Sequence, residues 1–125
     1  MIDRIDHLVL TVRSVDVTCD FYTACFGFRR VDPPDGPTAL HFGRQKFNVH
    51  RVDRTFEPKA RRPTEGSADI CLIAAVPLRD VIDRLARKDV AIELGPIERD
   101  GALGPMRSIY VRDPDGNLIE ISEYA

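Results

Sequence analysis

Ile5-Asp6-His7-Leu8-Val9-Leu10-Thr11-Val12 decides the fold of this 125-residue chain. Its β-branched and apolar residues mark a strand. Alternation puts Leu8, Leu10 and Val12 on one face and His7, Val9 and Thr11 on the other. Ser14 then offers a helix N-cap. Val17, Phe21, Ala24, Cys25 and Phe28 recur at roughly helical spacing, and Gly27 ends the helix. A short strand, Phe28 to Val31, leads into the Pro- and Gly-rich turn 32–37. Thr38 to Phe42 and Lys46 to Val52 read as two strands joined at Gly43-Arg44-Gln45. The first half is thus β-α-β-β-β.

After a polar, aperiodic linker, Asp53 to Ser67, the order begins again. Ala68 to Ile73 is a strand, and Pro77 suits a first helical position. Leu78, Val81, Ile82 and Leu85 mark one helix face. Val90 to Ile97 predicts a strand, and Gly101 to Pro105 a Gly-rich loop able to act as a mobile flap. Met106 to Arg112 and Asn117 to Ser122 are strands joined by the turn Asp113-Pro114-Asp115-Gly116. The expectation is one α+β domain over residues 1–125. It contains two tandem βαβββ modules, about 3–52 and 67–123. Their sheets, antiparallel or mixed, curve around a cleft with helices outside. Identity between the halves is poor, so the repeat is architectural.

Composition narrows the function. A formal charge of −2 with 43% hydrophobic residues describes an ordinary globular domain. It gives no reason to expect a nucleic-acid or membrane partner; the partner expected is a small-molecule substrate. The pairs Arg29-Arg30 and Arg61-Arg62 sit among acids and read as solvated surface. Three cysteines without CxxC spacing argue against a disulfide framework. With no signal-peptide pattern at the N-terminus, the expected compartment is the cytoplasm.

Polar side chains on strand faces turned away from the helices carry the chemistry. His7 does so in the first strand and Asn48 with His50 in the fourth. Asp69 opens the second half, and Glu120 and Ser122 lie in the last strand. By repeat, His7 matches Asp69 and Asn48 matches Glu120. The cleft then collects His7, His50 or Asn48, Asp69 and Glu120. That imidazole and carboxylate set suits Fe, Mn, Ni or Zn as a divalent metal. Glu120 lies between two isoleucines, where an unpartnered carboxylate is costly. Asp69 could bind metal, orient a ligand or act as a base. Asn48 and His41 are candidates for substrate contact. Against each stands a plain structural role: a lone strand histidine is more often a hydrogen-bonder than a ligand, and Cys71 reads as packing.

The opening strand, Phe21-Tyr22-x-x-x-Phe26-Gly27-Phe28 and Asp113-Pro114-Asp115-Gly116-Asn117-Leu118-Ile119-Glu120-Ile121 resemble the vicinal-oxygen-chelate superfamily, which includes glyoxalases, bleomycin-resistance proteins and extradiol dioxygenases. Residues 45–50 and 104–110 resemble the glyoxalase-domain-containing-protein-5 group. The resemblance implies paired modules, a divalent metal that chelates two adjacent substrate oxygens, and a homodimer. It makes His7 the first-strand ligand and Glu120 the last-strand ligand and catalytic carboxylate. Asn48 and Asp69 stand where glyoxalase I has a Glu and a His. His7, His50 and Glu120 could instead reproduce the two-His, one-Glu set of extradiol enzymes. A metal-dependent lyase, isomerase or dioxygenase is expected, with Asp69 beside Glu120 in the chemistry. The alternative is a metal-free binder of the bleomycin-resistance type.

Overall fold

The computed structural model describes Met1–Ala125. The order is β1 (His7–Val12), α1 (Val15–Phe26), β2 (Arg29–Val31), β3 (Thr38–Phe42), β4 (Gln45–Arg51), β5 (Asp69–Ile73), α2 (Leu78–Arg87), β6 (Leu94–Gly101), β7 (Gly104–Arg112) and β8 (Leu118–Tyr124). The chain forms two compact units, Met1–Ser67 and Ala68–Ala125. Each is a βαβββ module with one mixed four-stranded sheet, ordered β1-β4-β3-β2 in the first and β5-β8-β7-β6 in the second. Within each, the first and last strands run parallel and the remaining pairs antiparallel. The helix between first and second strands supplies the crossover that a parallel pair needs.

In the first unit, Leu10, Val12, Leu40, Phe47 and Val49 are buried on the face that alternation assigns to the helix. Ser14 caps α1 by accepting a hydrogen bond on Oγ from Val17 N–H, and Gly27 closes the helix in the left-handed conformation. The buried stripe of α1 is Thr18, Cys19, Tyr22 and Cys25, while Val17 is exposed. Apolar spacing alone set that stripe one residue off, because a threonine and a tyrosine fill it. Tyr22 is the hub of the core. Its ring meets Phe47 edge-on at 5.7 Å and stacks on Phe28 at 5.3 Å.

In the second unit, Leu78 and Leu85 of α2 are buried, as are Ile109, Val111, Ile119 and Ile121 of the sheet. Pro77 stands as the α2 cap rather than its first residue, and Leu78 N–H donates to the Glu123 carboxylate at 2.9 Å. The strand expected from Val90 starts only at Leu94, and a bulge between Leu94 and Ile97 accommodates Gly95-Pro96. The Gly101–Pro105 segment is a hairpin and not an irregular loop. Asp100 pairs with Pro105 and Gly101 with Gly104, so the glycines close a tight β6–β7 hairpin.

The Asp113–Asn117 turn is bonded from within. Asp113 Oδ1 accepts from the backbone N–H groups of Asp115 and Asn117, and Asp113 Oδ2 accepts from Asn117 Nδ2 at 2.8 Å. Asn117 Oδ1 in turn accepts from Ala68 N–H at 2.8 Å, which fixes the entry to β5. No helix is long and apolar enough to cross a membrane.

Candidate functional site

The strand registers define the helix-free face of each sheet. In the first unit, His7 lies opposite Lys46, Val9 opposite Asn48 and Thr11 opposite His50. Ala39 pairs with Asn48 and His41 with Lys46. All of these share one face by alternation. In the second unit, Asp69 lies opposite Leu118, Cys71 opposite Glu120 and Ile73 opposite Ser122. Tyr110 flanks Glu120 on its other side. Val9–Asn48 and Cys71–Glu120 are therefore corresponding rungs, with His7 and Asp69 each two residues earlier on the first strand.

These placements sort the candidates. His7 and Asn48 are diagonal neighbours on adjacent strands, within reach of long side chains. His7 and His50 are four residues apart in register, about 13 Å along the strands at roughly 3.3 Å per residue. One sheet therefore presents His7 to Asn48, and His50 to Thr11, as separate pairs. His41 is half-buried beside Lys46, one strand further from His7. Asp69 is exposed on the same face as Glu120, which is half-buried. No group of three or more His, Cys, Asp or Glu side chains gathers into a metal cluster in the chain.

Local chemistry distinguishes the groups further. His7 Nδ1 and Asp6 Oδ1 are 2.8 Å apart, and this hydrogen bond holds the Asp6 carboxyl below its ordinary value. A carboxylate on Nδ1 fixes the tautomer and leaves Nε2 directed outward as a base or ligand. His50 is buried, with Phe56 edge-on to its ring at 4.9 Å. Burial pushes the His50 pKa down, which favours neutral imidazole. Asn48 Oδ1 is buried with no hydrogen-bond partner. An orphaned carbonyl of this kind costs stability until a donor reaches it.

Glu120 sits in a short polar network. Ser122 Oγ donates to Glu120 Oε2 at 3.3 Å and lies 2.6 Å from Ser108 Oγ and 3.4 Å from Cys71 Sγ. Burial raises the Cys71 thiol pKa, partly opposed by its bond to Ser122. The thiol is therefore no activated nucleophile. Asp6, Phe56, Ser108, Tyr110 and Arg99, whose Nε donates to Tyr110 Oη at 3.0 Å, escaped the sequence reading. Asp6 was legible as the neighbour of His7. Phe56 lay in a segment without periodicity, and the β7 and β6 residues needed the register.

The sequence pattern of the Glyoxalase/Bleomycin resistance protein/Dioxygenase superfamily matches residues 4–121. The chain belongs to this superfamily. Among its relatives is virulence protein STM3117 of Salmonella typhimurium, 52% identical over 124 residues, spanning 99% of this chain and 86% of that one. The crystal structure of STM3117 superposes with a TM-score of 0.97 and covers 100% of this chain and 99% of the other. The superfamily fold is also shared with lactoylglutathione lyase from Agrobacterium tumefaciens, at 23% identity, TM-score 0.75 and 98% and 95% coverage. It recurs in TnmS3, an antibiotic binding protein from Streptomyces sp. CB03234, at 20% identity, TM-score 0.74 and 99% and 98% coverage.

Proposed function

We propose that the protein is a small metalloenzyme in which His7 and Glu120 hold one divalent ion, Fe, Mn, Ni or Zn, that chelates a small oxygen-rich substrate. The observation that carries this reading is the Asp6–His7 pair. It engages Nδ1 with a carboxylate and leaves Nε2 available, which is how a ligating histidine is commonly prepared. Glu120 fits as the second donor, because its Oε2 is engaged only by Ser122. Such an ion, when bound, would supply Lewis-acid stabilisation of negative charge on substrate oxygen.

The chain's own residues do the rest. Asn48 Oδ1, buried and unpartnered, accepts a hydrogen bond from a substrate hydroxyl. Asp69, exposed on the Glu120 face, takes up the proton that the reaction releases. His50, kept neutral by burial and four residues from His7 in register, binds substrate, and His41 contributes a further polar contact. Proton abstraction in a lyase or isomerase reaction and oxygen insertion both fit this set. We further propose a homodimer in which helix-free faces are shared between copies. Val9, Ile73 and Leu94, 47%, 53% and 46% exposed on those faces, support it.

A metal-free binder is the second reading, favoured by an amide and an aspartate at the Asn48 and Asp69 positions. Metal analysis separates the two. Purified protein should carry about one transition-metal ion per chain. His7→Ala and Glu120→Ala should lose it, and Asp6→Asn should weaken binding roughly 10- to 100-fold. Full metal retention in His7→Ala and Glu120→Ala would remove both as ligands and overturn the proposal, and no metal uptake by the wild type would overturn it in favour of the binder.

A further inference from the structure

Most arginines of known partner in this chain are neutralised. Arg30 is held by Asp16 and Asp32, Arg51 by Asp53, and Arg112 by both oxygens of Glu93. Arg99 is different. It lies on β6 opposite Met106, so it shares the helix-free face of the second unit with Tyr110, Glu120 and Ser122. Its Nε donates to Tyr110 Oη at 3.0 Å and its Nη1 to Glu98 O at 3.2 Å. Its guanidinium carbon sits 5.6 Å from the centre of the Tyr110 ring. No carboxylate pairs with it. The two contacts fix the plane of the guanidinium and leave Nη2 and one N–H of Nη1 without a partner.

Tyr110 stands directly opposite Glu120, with Cβ atoms of such pairs about 5 Å apart. Arg99 is thus an oriented, uncompensated cation held next to the carboxylate proposed above as a metal ligand. Leaving a prepared fork without an anion makes sense where the ligand brings the anion. Its charge is also bounded. Arg112, the other arginine of this face, is taken by Glu93, whereas Asp69 and Glu120 are both acidic. One free positive charge among acids suits a carboxylate monoanion better than a phosphate dianion.

We infer that Arg99, positioned by Tyr110, is a carboxylate-binding subsite beside Glu120, so that the substrate is a small carboxylic acid whose carboxylate lies apart from its chelating oxygens. This rests on reading Glu120 as a metal ligand, but the subsite itself can be tested without metal. Titration calorimetry on the full-length protein uses benzoate, benzyl alcohol, catechol, 3,4-dihydroxybenzoate and 3,4-dihydroxyphenylphosphonate as probes. Benzoate should bind metal-free protein at least tenfold more tightly than benzyl alcohol. Arg99→Met should erase that preference, and with metal-loaded protein should weaken 3,4-dihydroxybenzoate at least tenfold while leaving catechol unchanged. Tyr110→Phe should reduce the preference several-fold with no change in melting temperature, since Tyr110 acts only by positioning. Equal binding of benzoate and benzyl alcohol, or a preference that survives Arg99→Met, overturns the inference. Tighter binding of the phosphonate than of the carboxylate overturns the choice of anion. Catechol that binds no better with metal than without refutes the chelation reading alone, because the benzoate comparison stands apart from it.

Discussion

Replacing Asn117 with alanine should unravel the turn that carries the superfamily's most specific sequence. Asn117 is 1% exposed and Asp113 is 5% exposed. The substitution removes two hydrogen bonds of 2.8 Å, one accepted from Ala68 N–H and one donated to Asp113 Oδ2. A lost neutral bond costs about 1 kcal/mol, and one to a buried charged group about 2 kcal/mol. The expected destabilisation is therefore about 3 kcal/mol. In a domain of this size it lowers Tm by about 10 °C. Urea unfolding followed by circular dichroism gives the free energy, with an unchanged m-value showing that the native state stays compact. Hydrogen exchange should quicken first at Ile70 and Leu72, because Ala68 anchors the strand they belong to. A loss below 1 kcal/mol, or uniform exchange across both sheets, would refute this account of the turn.

Gly95 has φ +105°, and a Cβ there would lie 2.4 Å from Ser108 O, so Gly95→Ala should cost at least about 2 kcal/mol by thermal melting; Gly43→Ala, at φ +49° with open space, should cost only about 1 kcal/mol. In chelator-treated protein, His50 has a folded pKa below its ordinary value of 6.5, so the unfolded chain takes up that proton first. Stability from this group is complete above about pH 7 and falls as acid carries the pH from 6.5 down toward the folded pKa; His50→Gln should flatten that slope in denaturant titrations at several pH values, and an unchanged slope would remove His50 as its source.

Both βαβββ modules were legible because strand alternation and helix spacing are local. The opening strand alone separated Leu8, Leu10 and Val12 from His7, and the structure keeps that division. Register was not legible, because it depends on which residue faces which across a hairpin or a crossover. Asn48 and His50 share a face, as alternation requires, yet only the pairing with β1 shows that His7 is diagonal to the first and remote from the second. Tyr110 and Arg99 were invisible for the same reason, since their link to Glu120 runs through β7. The Gly101–Pro105 segment misled because glycine serves a hairpin tip and a loose loop equally well. Val17 misled because burial on α1 follows the position of Tyr22 rather than the apolar count.

Asn117 also has a bearing on how the gene can change. By gripping Ala68, it sets the start of β5 from inside the second unit, so the preceding residues do not set it. Residues 57–64 take part in no ladder of either sheet. A nick, an insertion or a split into two reading frames within them would leave every strand pairing in place, which makes this short span the natural point for proteolysis, lengthening or recombination between related genes.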